Sequence, residues 1–504
     1  MTPAKQWWPL VAVCLGSLML LVDVTIVNVA LPAVAVDLDA SFSDLQWVVD
    51  GYALVLAATL LAAGTIGDRL GHRRVYVVGL VLFALASLVC GLAGDVAVLV
   101  AARAAQGIGG AAMFATTFAL LNASYRGRAR GTAYGVWGAV GGAAAALGPI
   151  LGGVLTEHAG WRWIFFVNLP VTAITVALCI TTLATDRGHA TSRLDVPGLL
   201  TFTVFAGALT YGLVEAGSRG WGDPTPVAAF AVAAVALVAF VVRERRTDAP
   251  MLDLALLRHR VFTGTLLAAG AASLVGFSSL VFVSIWLQSV LELSPIEAGL
   301  AGGVPLSAAA LVTSAAGSRV LHGRPPGPVV AAGVGLIGVG SLVMAAQLGG
   351  AAGWPALVAG LVVTGIGVGT TFPVLSSAAM STVPLQRGGM AAGAVNTARQ
   401  LGLALGLAVL GTVLTSAMSS RLRDLGVDGA DAVARALAGG RAGSLRSLPL
   451  AGGPDAVFVA GLRDVMLVAG ATGVVAAVVV AVLMRPGRAE VVPAPQPSLP
   501  AGRS

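Results

Sequence analysis

The sequence predicts an all-α polytopic membrane protein with fourteen transmembrane helices. Three observations carry that prediction. Of 504 residues, 57% are hydrophobic and only 11% charged, with a mean hydropathy of +0.90. A soluble chain carries roughly 25% charged residues, so too little polar surface remains to cover a water-facing body of this size. Apolar runs of about 20 residues, enough to cross a hydrocarbon core, recur from Leu10 to Met484. Those runs are continuous, whereas barrel strands would alternate apolar and polar residues.

Taken in order, the spans fall near 10–31, 46–66, 75–94, 96–121, 132–155, 164–184, 197–217, 225–242, 261–288, 296–318, 328–349, 355–376, 391–418 and 463–484. The first could be mistaken for a leader, because Ala33-Val34-Ala35 mimics a cleavage site. It is too long for that and contains Asp23 and Asn28, so it reads as a retained span. Eight of the nine tryptophans lie near run ends, where an aromatic belt places them. With the N-terminus inside, twenty basic residues fall on inner segments, against Arg162 and Arg219 in short outer loops. That asymmetry places both termini in the cytoplasm and requires an even number of spans.

The spans group as six, two and six. Segment 1–190 is expected to form an N-terminal six-helix bundle, 191–250 two inserted linker helices, and 251–504 a C-terminal six-helix bundle with an extracytoplasmic loop near 419–462. The loop Gly67-Asp68-Arg69-Leu70-Gly71-His72-Arg73-Arg74 has a weaker echo in Ser318-Arg319-Val320-Leu321-His322-Gly323-Arg324, two spans into the last group. Paired halves with echoing loops mark a transporter built from structural repeats.

Several chemistries are excluded. The net charge of +7 suits cytoplasmic loops and does not indicate nucleic acid. Cys14, Cys90 and Cys179 sit inside apolar runs with no metal or disulfide spacing, and the five histidines are scattered between spans. No metal, cofactor or catalytic residue is expected. The only lysine is Lys5, so no phosphate loop exists and ATP-driven transport within this chain is not expected.

Charge within the membrane is the best pointer to function. From the helical rise, Asp23 lies about 12 Å from the outer end of its span, Arg103 about 10 Å and Asp50 about 6 Å. Asp23 and Arg103 are therefore nearly level and opposite in charge. Either Asp23 carries protons, its affinity changing with hydration and with the distance to Arg103, or the two form a fixed strut. Asp50 is a second coupling candidate or an interfacial acid. Arg399 lies close enough to the inner end of its span to snorkel. The fifth span carries Gly138, Gly141, Gly148, Pro149, Gly152 and Gly153, a pattern for close packing and bending.

These stretches together resemble the major facilitator superfamily, and within it the fourteen-span drug:proton antiporters of the EmrB/QacA type. Leu21-Val22-Asp23-Val24-Thr25-Ile26-Val27-Asn28-Val29-Ala30-Leu31-Pro32 is similar to that group's first-span signature. Gly64 to Arg74, Arg103-Ala104-Ala105-Gln106-Gly107-Ile108-Gly109 and Gly148-Pro149-Ile150-Leu151-Gly152-Gly153 resemble the inner-loop, fourth-span and antiporter motifs. Trp161 to Pro170, Asp195-Val196-Pro197-Gly198, Pro250 to Leu254 and Arg399-Gln400-Leu401-Gly402 are similar to stretches of the fourteen-span group.

The resemblance implies the major facilitator fold and a proton-coupled exporter, not an enzyme, in a bacterial plasma membrane. Its substrate would be a hydrophobic, neutral or monocationic drug, antibiotic or natural product, and its partners protons and lipid, the protein acting as a monomer. Asp23, Asp50 and Arg103 would handle protons. Gly64, Asp68, Arg69, Gly71, His72 and Arg73 would lock one conformation. Gly148, Pro149, Gly152 and Gly153 would seal and flex the interface between the halves. His72 replaces the usual Arg or Lys of its motif, which makes one cation conditional on pH. A nutrient importer, a lipid flippase or a non-transporting membrane sensor of the same fold are the alternatives.

Overall fold

The computed structural model describes residues 5–40, 42–185, 195–247, 250–320, 324–349, 353–384, 387–439 and 453–485. Its elements are α1 (Trp8–Asp37), α2 (Phe42–Leu70), α3 (His72–Leu92), α4 (Val96–Ser124), α5 (Gly127–Ala159) and α6 (Trp163–Thr182). A pair follows, α7 (Val196–Arg219) and α8 (Pro224–Glu244). Then come α9 (Arg260–Val290), α10 (Pro295–Ala298, a wide turn Gly299–Gly303, and Val304–Val320), α11 (Pro326–Gln347), α12 (Pro355–Ser381) and α13 (Gly388–Asp424). A short helix, α14 (Ala430–Ala438), precedes α15 (Gly453–Leu483). In lipid every backbone N–H and C=O must be bonded within the segment, which leaves helix as the form for these long apolar runs.

Thirteen of these rods are long and apolar enough to cross a membrane by length and composition. Helix α5, with 33 residues, packs among them against α1 and α10. The helix starts follow local chemistry. Asp95 accepts from Val98 N at 2.9 Å and Asp223 from Thr225 N at 2.9 Å, capping α4 and α8. Asp195 caps α7 through Gly198 N at 3.1 Å and also pairs with Arg243 of α8 at 2.9 Å. Glu244, at the end of α8, accepts from the N–H groups of Met251 and Leu252, both at 3.3 Å. The stretches around Asp195 and Pro250 are thus clamps that pin the α7–α8 pair to the chain that follows.

Helices α1 to α6 pack mainly on one another: α1 on α5 and α6, α4 on α2 and α3. Helices α9 to α13 and α15 do likewise, with α11 wedged between α12 and α15. Helices α7 and α8 pair with each other, and α7 leans on α2 and α13. Two seams join the first group to the last, α2 and α4 against α13, and α5 against α10. Helix α9 contains two wide turns, Ser273–Phe277 and Trp286–Val290, a feature that often marks functional helices.

Two boundaries differ from the sequence expectation. Helix α13 continues to Asp424, and α15 begins at Gly453 rather than near 463. The charges read as a polar break lie along the helices and pair sideways, Arg421 with Asp464 at 3.1 Å. Between them α14 buries Ala430, Ala434 and Leu437, and Asp431 meets Arg423 at 2.7 Å. Residues 440–452 lie outside the described residues, as do Leu321, His322 and Gly323 of the echo loop.

Candidate functional site

Asp23 is 1% exposed, as is Arg103, and the two form a buried ion pair. A lone charge at this depth would cost several kcal/mol; here both charged groups are bonded to several partners, while the hydroxyl of the neighbouring Tyr52 is buried without one. Gln106, one turn beyond Arg103 on α4, donates to Asp23 Oδ1 at 3.0 Å and accepts from Arg103 at 2.8 Å. Asn168 at the bend of α6 donates to the same Asp23 oxygen at 3.0 Å. Ser87 of α3 accepts from Gln106 at 2.6 Å and Asn168 at 3.2 Å. Arg103 Nε donates to the Val48 carbonyl at 3.1 Å, and its guanidinium stacks 4.4 Å from the Tyr52 ring centroid. The level placement read from the helical rise is thus a direct contact. Gln106, Ser87 and Asn168 were not singled out as site residues. Gln106 was within reach, since residues three apart share a helix face; nothing in the sequence distinguished Ser87.

Asp50 lies on α2 between Val48 and Tyr52, the two residues that touch Arg103. It is half-buried and lines a separate cleft of about 300 Å³ between α2, α7 and α13, beside Thr210 and Gln400. Just before α6, Arg162 pairs with Asp37 at 2.6 Å, and the Trp161 indole donates to the same carboxylate at 3.1 Å. These donors hold Asp37 below the usual carboxylate range.

The second constellation lies at the arginine-rich end. Asp68, near the end of α2, accepts from Gly389 N at 2.6 Å and Met390 N at 2.7 Å. It therefore caps the first turn of α13, satisfying free N–H groups where the helix dipole favours an anion. His72 Nε2 lies 2.9 Å from the same carboxylate. The cap needs backbone contact: a Cβ on Gly64 would overlap the Gly389 carbonyl. Gly71 breaks α2 from α3 with φ +96°, a conformation only glycine adopts cheaply. Arg73 works elsewhere, bonding the carbonyls of Leu183 at 2.9 Å and Ile180 at 2.8 Å. Arg69 is half-buried at the helix end.

The fifth-span glycines face a different neighbour from the one expected. A Cβ on Gly148 would overlap the Thr25 side chain, and one on Gly152 would stand 2.9 Å from the Ile26 carbonyl. Both residues pack α5 onto α1 inside the first group, not across a seam, while Gly153 has open space around it. Pro149 lies in α5 itself. A glycine of α5 that does meet the other group is Gly135, opposite Ser314 of α10.

Arg399 also departs from expectation. Its guanidinium does not snorkel outward; it lies between the ring of Phe372 on α12, 4.6 Å away, and that of Phe114 on α4, 5.6 Å away. It lines a chamber of about 100 Å³ between the groups, with Trp137, Phe277 and Ser307. A vestibule of about 360 Å³, lined by Arg130, Tyr134 and Arg324, adjoins the chamber, and the two share Ser314, Gly369 and Pro373. Depth along a helix predicted where Arg399 starts, not which face it occupies.

Comparison with known proteins agrees with this architecture. Residues 13–407 match the model of the Major Facilitator Superfamily. The chain is 34% identical to the tetracenomycin C resistance and export protein of Streptomyces glaucescens, over 94% of this chain and 91% of that one. It is 35% identical to the puromycin resistance protein pur8 of Streptomyces alboniger, over 85% and 86% of the two. In fold it is similar to a bacterial homolog of the human lysosomal transporter Spinster, with a TM-score of 0.59, 19% identity, and coverage of 96% and 98%.

Proposed function

The chain belongs to the major facilitator superfamily, and we propose that within it this protein is a proton-driven exporter of small hydrophobic molecules, antibiotics and related natural products among them. Export is supported by relatives that are named for resistance and export. In this reading residues 1–190 and 251–504 are the two rocking halves and 191–250 an insertion. The arginine-rich end and both termini face the cytoplasm of a bacterial plasma membrane, the protein acts as a monomer, and the proton gradient replaces any cofactor.

The observation that carries the coupling role is the Asp23 cluster. Asp23 takes donors from Arg103, Gln106 and Asn168 while wholly buried. All of these lie on α4 and α6, within the first half. Rocking the halves as rigid bodies leaves those distances unchanged. Coupling therefore requires water to reach the pair as the halves separate, competing with Arg103 for the carboxylate and letting it take a proton. The Asp68 cap on α13 is the latch of the opposite end: it joins the halves, and must break each time the cytoplasmic side opens. A potential of 100 mV supplies about 2.3 kcal/mol for each proton that enters, enough to sustain a useful gradient.

The test is cellular. Overexpression in a susceptible bacterium is expected to raise tolerance of tetracenomycin C or puromycin several-fold, and a protonophore should erase the gain. Unchanged tolerance of both compounds, with raised uptake of a metabolite, would instead make the protein an importer.

A further inference from the structure

Arg399 is an intramembrane cation whose charge the cluster around Asp23 does not explain. Among the described residues no carboxylate lies within ion-pair distance of it. Its Nε is buried without a hydrogen-bond partner, and one terminal nitrogen reaches only Asn396, at 3.4 Å. Arg399 is only half-buried as a residue, but a guanidinium whose Nε is buried and unmatched is costly unless something else completes it. Two further buried donors on the same route are also unmatched, the Ser314 hydroxyl shared by chamber and vestibule and the Tyr134 hydroxyl of the vestibule. Neither compartment is lined by an Asp or Glu among the described residues, whereas Arg130 and Arg324 line the vestibule. Around Arg399 the walls are aromatic, Phe114, Trp137, Phe277 and Phe372.

From this geometry we propose that the central chamber is a binding site for aromatic acids, compounds in which a carboxylate, sulfonate or ionised phenol is attached to a flat ring. The ring enters the aromatic walls, and the anionic oxygens accept from Arg399, whose planar fork suits such groups. The Ser314 and Tyr134 hydroxyls accompany the ligand along the route. The vestibule falls within the size range of drug-binding pockets; the chamber is smaller, so a fused-ring ligand fills it and extends into the adjoining vestibule. Cationic compounds are disfavoured, since they would add a like charge to a site without an acid. The proposal rests on the exporter reading for its direction, and narrows the neutral-or-monocationic range expected from the sequence toward neutral and acidic substrates.

Binding measured at equilibrium, with no gradient, separates this proposal from the question of transport. The full chain in lipid nanodiscs would be titrated with dansylate, dansylamide and dansylcadaverine, which share one naphthalene ring and carry negative, neutral and positive charge. Energy transfer from tryptophan reports occupancy, with empty nanodiscs as background. Dansylate is expected to bind saturably and at least about tenfold more tightly than dansylcadaverine. Arg399→Gln should erase that preference and Arg399→Lys should keep most of it. Absence of saturable dansylate binding to the unaltered protein, tighter binding of dansylcadaverine, or a preference that survives Arg399→Gln would each overturn the assignment. The charge preference of the unaltered protein stands as a test even if a variant fails to fold. A dansylate preference without proton-linked export would leave this site standing and remove the exporter reading alone.

Discussion

At the scale of single residues, Asp23 and Arg103 were legible because charge is rare in an apolar span and helical rise fixes depth. The rest of the cluster was not, because small polar residues such as Ser87 are common and their partners lie on other helices. Each donor now has a testable weight. Asn168→Ala removes one bond to Asp23 and one to Ser87, leaving buried acceptors undersupplied. The expected loss is about 1–3 kcal/mol, read as a lower unfolding midpoint of the protein in detergent. Gln106→Leu removes bonds to Asp23, Ser87 and Arg103 together, and should destabilise more than Asn168→Ala. Equal or smaller loss would mean that the cluster is not the connected network described. Arg399 was misjudged for a physical reason: its position along α13 was visible in the sequence, but Phe114 and Phe372, which enclose it, come from α4 and α12.

At the scale of elements, the helices and most of their ends followed from apolar run length and capping chemistry. The wide turns in α9 and the early start of α15 did not, because they depend on side-by-side packing that no local pattern records. The latch between α2 and α13 makes a sharp prediction. Asp68→Asn weakens two charge-assisted bonds to backbone N–H groups. A loss of about 2 kcal/mol shifts the balance roughly 30-fold toward the state with the arginine-rich ends apart. Spin labels on Arg74 and Ser381, both exposed, should report a longer distance population. Gly64→Ala should do the same by forcing its Cβ against the Gly389 carbonyl. An unchanged distance distribution in both variants would show that the cap does not hold the halves together. Gly148→Ala acts on another contact: it pushes α5 off Thr25 of α1, so it is expected to cost about 1–3 kcal/mol of stability without releasing the latch.

At the scale of the whole molecule, the succession of long helices was anticipated from the order of spans, while the seams were not. Which faces of α2, α5, α10 and α13 meet is set by small residues approaching across hundreds of positions in sequence, as at Gly64 and Gly389. The central claim is that Asp23 links proton movement to substrate movement although its partners all lie in one half. The most direct test uses purified protein in inside-acid vesicles, monitoring proton release on addition of tetracenomycin C or puromycin. Asp23→Asn and Asp23→Glu would be compared, each checked for intact assembly by its size-exclusion profile. Substrate-dependent release by the unaltered protein, retained at least in part by Asp23→Glu and abolished in correctly assembled Asp23→Asn, is the predicted result. Full release by Asp23→Asn would reduce the Asp23–Arg103 pair to a strut and place proton coupling elsewhere in the molecule.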